Sequence, residues 1–269
     1  MPALYDRNIT KPWRKAVYMA TELGLLAPLF VLKHRLTITG RENVPAPPFV
    51  AVANHLSKED PPLLAVAVRR PVAFIAKQEL YAVPILRSLI LFYGAISIDR
   101  DKPEVSTFKA VREVCQHGWA LGMFIEGTRS KTPGMPGAPY EGPAYFAWVL
   151  KAPIVPVGIV GTDNPWGKAY ARIGKPIDPD RDLEKITWDI MQSLSDLTGF
   201  TLPPRSIRPR MSSPRRPQET GDSMLNFANV EHHAIMARGK VNATGPIERT
   251  PERFLTCKRH DQIIFAREE

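Results

Sequence analysis

Two side chains that can exchange protons stand five positions apart in the stretch VANHLSKEDPPLLA (residues 52–65), namely His55 and Asp60. On one α-helix a five-residue step rotates the chain by about 500°, so the two side chains would point roughly 140° apart. A bent loop is therefore needed to bring the carboxylate onto the imidazole. An aspartate in that position can hold a histidine in one tautomer, and the histidine can then act as a general base. The pair predicts proton-transfer chemistry.

The residues around the pair indicate the elements that would position it. The run FVAVA (residues 49–53) is short, apolar and partly β-branched, which is typical of a buried strand. Asp60 is followed by Pro61, a pattern that predicts a helix N-cap with proline at the first helical position. His55 would then lie in the loop just past the strand, with Asp60 at the start of the helix.

From about residue 35 the chain alternates between strand-like and helix-like segments. Strands are predicted at LTITG, FVAVA, PVAFIA, GAISID, WALGMFIE and APIVPVGIVG, and helices at 61–69, at VPILRSLILFY, at KPEVSTFKAVREVCQHG and at 182–197. Such alternation predicts an α/β fold, in which a mixed and largely buried sheet is covered by helices. We expect this domain to span residues 35–199.

Three further stretches carry polar residues or prolines at or near strand ends: GAISIDR (94–100), FIEGTRS (124–130) and APIVPV (152–157). In open α/β sheets, ligands bind in the loops beyond the strand ends. Singly, each stretch has an ordinary structural explanation, such as a turn in which Gly127 supplies an unusual backbone angle. Together with the His/Asp pair, in this order on one alternating domain, they are far more specific.

In this order the stretches resemble the glycerolipid acyltransferase family, which contains the lysophosphatidic acid (1-acylglycerol-3-phosphate) acyltransferases. Asn54, His55 and Asp60 match the Asn-His-x4-Asp block of that family. Its other three blocks are matched by residues 94–100, by 124–130 with isoleucine in place of a usual proline, and by 153–157. The resemblance covers roughly residues 35–198, and it implies the fold of these acyltransferases.

The resemblance also implies transfer of a fatty acyl group from a thioester, on coenzyme A or acyl carrier protein, to the hydroxyl of a lysophosphatidic acid. His55 would take the hydroxyl proton and Asp60 would orient the imidazole. Direct attack on the thioester would need no acyl-enzyme, no metal and no bound cofactor. Glycerol 3-phosphate and other lysophospholipids are alternative acceptors. A catalytically silent lipid-surface binding protein is an alternative from another class of function.

Substrate-binding residues follow from the same resemblance. Arginine presents a planar fork that suits phosphate oxygens, so Arg100 and Arg129, with Lys77, are candidates for binding the acceptor's phosphate. The substrate-binding set is completed by three residues of the EGTRS block: Glu126, Gly127 and Thr128. Glu126 would orient the donor, a loop or an acceptor hydroxyl, and Gly127 would let the backbone approach the ligand closely.

The N-terminal segment, residues 1–34, is both apolar and basic. Its apolar run, residues 16–32, is interrupted by Glu and Pro and falls short of the roughly 20 apolar residues that a membrane span needs. Basic residues flank the run on both sides, which predicts an interfacial helix on an anionic membrane surface. A signal peptide or a helix packed on its own domain would be the alternatives. We expect Leu25, Leu29 and Phe30 to enter the lipid boundary, at the cytoplasmic face of a membrane.

Composition limits the remaining classes of function. The 269 residues are 44% hydrophobic, as in a globular protein, and their formal net charge of +9 favours an anionic partner. Charge alone would also suit nucleic acid, but no recognised motif accompanies it, so nucleic acid is not predicted as a partner. The 2 cysteines predict no disulfide framework. Residues 200–269 begin with a stretch rich in Pro, Arg and Ser, which predicts a disordered tail.

Overall fold

The computed structural model of the chain describes residues 5–98, 105–130, 137–207, 209–210, 248–249, 254–259 and 262–267. The chain divides into two compact units, Met1–Pro214 and Arg215–Glu269. The first unit continues past the predicted domain boundary because Arg210 is bonded to an earlier loop. Its N–H donates to the carbonyl of Pro139 at 2.7 Å, and its carbonyl accepts from the N–H of Glu141 at 3.1 Å.

In the described part of the first unit, seven strands form one sheet. In chain order they are β1 (Thr37–Thr39), β2 (Val50–Ala53), β3 (Val72–Lys77), β4 (Ile96–Ile98), β5 (Ala120–Phe124), β6 (Ile154–Val160) and β7 (Tyr170–Ile173). Their order across the sheet is β1-β7-β6-β2-β5-β3-β4. Neighbouring strands are parallel except for β6 and β7, which are antiparallel. The predicted α/β fold with a mixed sheet is therefore confirmed.

Helices cover both faces of this sheet. They are α1 (Pro12–Thr21), α2 (Ala27–His34), α3 (Asp60–Val68), α4 (Pro84–Phe92), α5 (Val105–Gln116), α6 (Gly142–Leu150) and α7 (Leu183–Thr198). The chain steps from β2 through α3 to β3, two places along the sheet, and from β5 through α6 to β6, two places in the opposite direction. Because crossovers between parallel strands are right-handed, α3 and α6 lie on opposite faces. Strand β2 is buried along its whole length, which explains its unbroken apolar sequence.

The sequence pattern does not reveal two of these elements. Helix α6 follows a run of glycines and prolines, which hides the start of the helix, although its inward side chains are apolar and buried. Strand β7 has only four residues, with alternating burial. The prediction that Asp60 caps α3 is wrong by one position, because Asp60 is the first helical residue and Glu59 occupies the cap.

The N-terminal helix runs from Pro12 to His34, with α1 and α2 joined by the π-helical turn Glu22–Leu26. Its inward side chains recur every four residues: Arg14, Tyr18, Glu22, the half-buried Leu26, Phe30 and His34. A row of positions four apart drifts around the axis of an α-helix. The π-helical turn has more residues per turn, which rotates the row in the opposite sense and reduces this drift, so the row stays against the domain.

The opposite face of the N-terminal helix exposes apolar side chains, among them Leu25, Leu29 and Leu32. The helix has 23 residues, and an 18-residue window of it has a mean hydropathy of 1.4, so it is long and apolar enough to cross a membrane by length and composition. Its buried row fits a helix that lies along the domain with one face open to lipid. The expectation for Phe30 is wrong, because this side chain is only 3% exposed and packs beside His34.

Three helices end on a basic residue in the left-handed conformation. Arg35 follows α2 with φ 46°, Arg69 follows α3 with φ 51°, and Lys151 follows α6 with φ 50°. Glycine is the usual residue at this position, as Gly199 is after α7. A cation at the C-terminal end of a helix complements the negative end of its dipole, which offsets part of the backbone strain.

The second unit contains three antiparallel strands among its described residues: β8 (Glu248–Arg249), β9 (Phe254–Arg259) and β10 (Gln262–Arg267). Strands β9 and β10 pair along their whole length. The sequence of this region shows only weak, short patterns and does not reveal the strands. Residues 211–247 lie outside the described residues, so the disordered tail stays a prediction there.

The inward face of the N-terminal helix can be tested by paired truncations. Phe30→Ala is expected to lower the free energy of unfolding by about 3–5 kcal/mol, the usual cost of truncating a buried phenylalanine. Leu32→Ala, on the same helix but at a residue that is 80% exposed, should change it by less than about 0.5 kcal/mol. Urea denaturation followed by circular dichroism measures both. Equal destabilisation by the two substitutions would contradict this orientation.

Candidate active site

Four neighbouring parallel strands bring most of the candidate residues to one edge of the sheet. His55 lies two residues beyond β2, Glu126 two beyond β5 and Thr162 two beyond β6, while Lys77 is the last residue of β3. Because these four strands are adjacent and parallel, the loops beyond their carboxyl ends share that edge. We call it the active edge.

His55 and Asp60 contact each other directly. Nδ1 of His55 lies 2.8 Å from Oδ2 of Asp60. Since a carboxylate oxygen accepts hydrogen bonds, Nδ1 carries the ring proton and Nε2 is left as an acceptor. The His55 side chain is 17% exposed, and that of Asp60 is fully buried. The pair is therefore made through a bent loop, as its spacing predicts.

The carboxylate of Asp60 accepts four hydrogen bonds. Besides His55, Oδ2 accepts from the backbone N–H of Leu56 at 2.6 Å and of Ser57 at 2.7 Å. Oδ1 accepts from the hydroxyl of Thr162 at 2.6 Å. The Asp60 side chain thus bonds back to the loop before α3, which is why it does not cap the helix. These bonds fix both oxygens, so the imidazole is offered one orientation.

Strand β5 holds the His55 ring from another side. The ring stacks on Phe124, with centroids 4.1 Å apart and planes inclined by 20°. The His55 carbonyl accepts a hydrogen bond from the N–H of Ser130 at 2.7 Å. The imidazole is therefore fixed by a stacking partner, a buried carboxylate and its own backbone. Such fixing is what a positioned proton acceptor requires.

Two residues to which the sequence analysis assigns no role support this arrangement. Asn54 is buried, and its side-chain amide exchanges two hydrogen bonds of 2.8 Å with the main chain of Ile159 in β6. Thr162 joins the loop after β6 to Asp60. One sequence feature could have identified Thr162: it is a polar residue just beyond a buried strand, where functional residues collect. Its contact with Asp60 spans 102 positions, which no local pattern reveals.

The residue before Asp60 ties this loop to the N-terminal helix. Oε2 of Glu59 lies 2.8 Å from Nε2 of His34, and Oε1 accepts from Nζ of Lys33. Burial raises the pKa of Glu59, but the hydrogen bonds from Lys33 and His34 outweigh it and hold the pKa below its usual value. Nδ1 of His34 also faces the carbonyl of Gly167 at 3.3 Å. The end of the helix is thereby attached to the loops after β2 and β6.

Glu126, a predicted substrate-binding residue, is only 5% exposed. Its Oε2 accepts from the N–H of Gly137 at 2.9 Å. Burial raises the pKa of Glu126 above its usual value, although the N–H groups of Gly137 and His55, the Ser130 hydroxyl and the His55 ring lower it in part. These contacts indicate that Glu126 organises the loop after β5.

The remaining predicted substrate-binding residues differ in their placement. Arg129 and Thr128 are exposed in the loop after β5, where Gly127 turns the backbone with φ 64°. Lys77 is half-buried at the end of β3. Arg100 follows β4, the neighbour of β3, but lies outside the described residues. Within the described ranges, no group of three or more His, Cys, Asp and Glu side chains is placed to hold a metal ion.

The raised pKa of Glu126 predicts a pH effect on stability. Because the native state then binds more protons than the unfolded state, the free energy of unfolding falls as pH rises from the usual value of 4.5 toward the raised pKa. Glu126→Gln is expected to remove this fall, so its stability relative to wild type should increase from acidic to neutral pH. Urea unfolding of both chains over that pH range measures the difference.

Glu184→Gln is the matched control, because Glu184 is an exposed carboxylate on α7. It should leave the pH dependence of stability as in wild type. If Glu126→Gln also followed the wild-type curve, the buried carboxyl would not titrate as described.

Comparison with known proteins gives consistent matches. Residues 35–160 match a family model described as Acyltransferase. The chain is similar to the 1-acyl-sn-glycerol-3-phosphate acyltransferase of Saccharomyces cerevisiae, with 26% identity over 208 residues, covering 72% of this chain and 67% of that protein. It is also similar to a 1-acyl-sn-glycerol-3-phosphate acyltransferase of Chlamydomonas reinhardtii, with 29% identity over 188 residues, covering 65% and 55%.

A solved structure matches as well, the crystal structure of the 1-acyl-sn-glycerophosphate (LPA) acyltransferase PlsC from Thermotoga maritima. The TM-score is 0.57 at 27% identity, over 72% of this chain and 82% of that chain. The chain spans 55% to 67% of the length of the two curated relatives. The ordered motifs, the fold and these matches agree: residues 35–160 are similar to the acyltransferase family, and the chain is similar in fold to PlsC.

Proposed function

We propose that the chain transfers a fatty acyl group from an acyl thioester to the free hydroxyl of 1-acyl-sn-glycerol-3-phosphate, forming phosphatidic acid. The observation that carries the proposal is the 2.8 Å contact between His55 and the fully buried Asp60 at the active edge. The curated relatives and the solved structure bear names that specify acyl transfer to this acceptor. Their shared chemistry requires a base that activates a hydroxyl, and His55 has the geometry of one.

The reaction balances with His55 alone as the proton carrier. Nε2 accepts the hydroxyl proton as the hydroxyl oxygen attacks the thioester carbonyl carbon and the carbonyl oxygen takes negative charge. When the carbon–sulfur bond breaks, the departing thiolate takes the proton from Nε2, and the imidazole returns to its neutral form. Asp60 keeps the other proton on Nδ1 and stabilises the transient imidazolium. Thr162 acts through Asp60 as a positioning residue.

The acceptor's phosphate is assigned to cations at the active edge. Arg129 is exposed in the loop after β5, and the next residue, Ser130, donates its N–H to the carbonyl of His55. Lys77 ends the adjacent strand β3 and would add a second positive charge, with Arg100 as a third candidate. A phosphate held by these groups would fix the acceptor so that its hydroxyl reaches His55.

The EGTRS block would then act mainly through the shape of its loop. Glu126 accepts from Gly137 and supports the loop from inside. Gly127 supplies the turn, and Thr128 lies exposed beside Arg129, where it can donate to a phosphate oxygen. This arrangement favours Arg129 for direct contact with the acceptor and Glu126 for holding Arg129 in place.

Membrane seating is the third part of the proposal. The N-terminal helix exposes Leu25, Leu29 and Leu32, and the exposed Arg35 follows it. An apolar face bordered by a cation suits the interface of an anionic membrane. Because the donor thioester is made inside the cell, we place the enzyme at the cytoplasmic face.

Two donors satisfy this chemistry, acyl-CoA and acyl carrier protein, and neither requires a cofactor bound to the chain. An acceptor panel of lysophosphatidic acid, glycerol 3-phosphate and other lysophospholipids, tested with each donor and scored by product mass, identifies the preferred pair. Preference for glycerol 3-phosphate would replace the proposed acceptor. Lipid binding without thiol release from any donor would favour the silent binding protein instead.

His55→Ala is expected to reduce turnover by about 10²–10⁴-fold while acceptor binding is largely kept, because a general base acts on the transition state. Asp60→Asn should also lower turnover, through the lost charge and the altered tautomer of His55. Thiol release and product mass are measured together. His117→Ala serves as the control, since His117 is exposed at the end of α5. Near-wild-type turnover of His55→Ala would refute the assignment of the base.

Arg129→Ala should raise the KM for a phosphate-bearing acceptor much more than the KM for a neutral monoacylglycerol. It should lower kcat as well if the phosphate helps to align the hydroxyl. Steady-state kinetics with both acceptors separate these effects. Arg181→Ala, at an exposed arginine before α7, should resemble wild type. If Arg129→Ala impaired both acceptors equally, phosphate recognition would have to be assigned to Lys77 or Arg100.

A further inference from the structure

The loop between β6 and β7, residues 161–169, carries a tryptophan that the fold does not bury. Trp166 is 74% exposed, more than any of the other four tryptophans. Leaving an indole in water forgoes the free energy of burying a large apolar side chain. A partner outside the chain would explain its placement.

The backbone that presents Trp166 is strained. Gly167 donates its N–H to the carbonyl of Asn164 at 3.0 Å, which closes a four-residue turn with Pro165 and Trp166 at its centre. The φ of Trp166 is +68°, and the third position of such a type II turn is normally filled by glycine or asparagine. Glycine would complete this turn without strain, so the turn itself does not explain the indole.

The loop lies beside the C-terminal end of the N-terminal helix. The carbonyl of Gly167 faces Nδ1 of His34 at 3.3 Å, and the N–H of Ala169 donates to the carbonyl of His34 at 2.9 Å. Leu32, two residues before His34, is 80% exposed. The loop that carries Trp166 is therefore attached to the end of the helix whose other face exposes Leu32.

The charges in this loop and in the segments linked to it through His34 suit an anionic surface. Lys168 in the same loop, Arg35 after the helix and Lys58 in the loop after β2 are exposed cations, against one exposed anion in the loop, Asp163. Tryptophan concentrates at the headgroup level of membranes, where its ring is half in apolar surroundings. Basic side chains at that level are attracted to anionic lipids. An exposed indole among cations therefore matches an anionic lipid interface in both respects.

We propose that the loop of residues 161–169 is a second membrane contact, with Trp166 seated at the headgroup level of an anionic bilayer. The inference rests on the membrane seating proposed above and adds a contact from within the sheet domain. A single interfacial helix holds a protein on the surface but lets it roll about the helix axis. A contact to one side of the helix stops this roll and turns the active edge toward the lipid.

The same loop is bonded to the reacting pair. Thr162, four positions before Trp166, donates to Asp60 at 2.6 Å. A membrane contact at Trp166 would therefore hold the segment that positions Asp60, and through it His55. A lysophospholipid whose acyl chain stays in the bilayer would meet His55 at the surface without leaving it.

The test compares full-length wild type with Trp166→Gly and Trp148→Ala, by sedimentation with phosphatidylglycerol–phosphatidylcholine vesicles and by thermal denaturation. Trp148 is the matched control, an exposed tryptophan on α6, which covers the sheet face opposite α3. Trp166→Gly should bind vesicles several-fold more weakly with Tm unchanged or raised, since glycine relieves the positive φ. Trp148→Ala should bind as wild type does. Brominated lipid should quench the tryptophan fluorescence of wild type more than that of Trp166→Phe, because only wild type has an indole at position 166.

Wild-type binding by Trp166→Gly would overturn the inference. A clearly lowered Tm of that variant would also overturn it, because the indole would then support the fold. If wild type bound no vesicles but still acylated substrate dispersed in detergent, this inference would be wrong and the proposed acyl transfer would stand. If wild type bound vesicles through Trp166 but showed no turnover, the inference would be supported and the proposed activity would be wrong.

Discussion

The buried carboxylate of Asp60 is the group around which the active edge is built. Removing a carboxylate from water costs free energy unless hydrogen bonds replace the lost hydration, so the surrounding segments must close on it. The loop after β2 supplies two backbone N–H groups and the His55 ring, and the loop after β6 supplies the Thr162 hydroxyl. The hydrogen bonds that offset the cost of burying Asp60 are therefore the same bonds that orient the imidazole of His55.

The sheet order makes that closure possible. Strands β6 and β5 flank β2 on either side, so the loops beyond them reach the His55–Asp60 pair from opposite directions, through Thr162 on Asp60 and Ser130 on His55. Asn54 fastens β2 to β6 through the main chain of Ile159, and Phe124 of β5 stacks on the imidazole. Glu59 carries the network onward to the end of the N-terminal helix. The proposed lipid-facing surface and the proposed catalytic pair thus belong to one bonded assembly.

Much of this could be predicted from local sequence, because β2, the loop after it and α3 are continuous in the chain. The apolar run, the His/Asp spacing and the Asp-Pro step identify them together. The contacts of Thr162 with Asp60 and of His34 with Glu59 could not be predicted, since they join distant segments and depend on strand order. The sequence places Phe30 wrongly on the lipid face because composition alone does not say which side of an apolar helix packs inward. Phe30 belongs to the row of inward positions four residues apart that the π-helical turn keeps against the domain, and composition does not reveal that row.

The basic residues that end α3 and α6 have a consequence for heat tolerance. Arg69 and Lys151 hold a backbone conformation that costs an ordinary side chain free energy and costs glycine much less. Helices in crossovers of this kind run from the carboxyl edge of the sheet back to its amino edge, so both residues lie far from His55. Glycine at these two ends would relieve that strain and raise the melting temperature without disturbing the His55–Asp60 pair. The cations that stand there instead offset part of the strain by complementing the negative ends of the two helix dipoles.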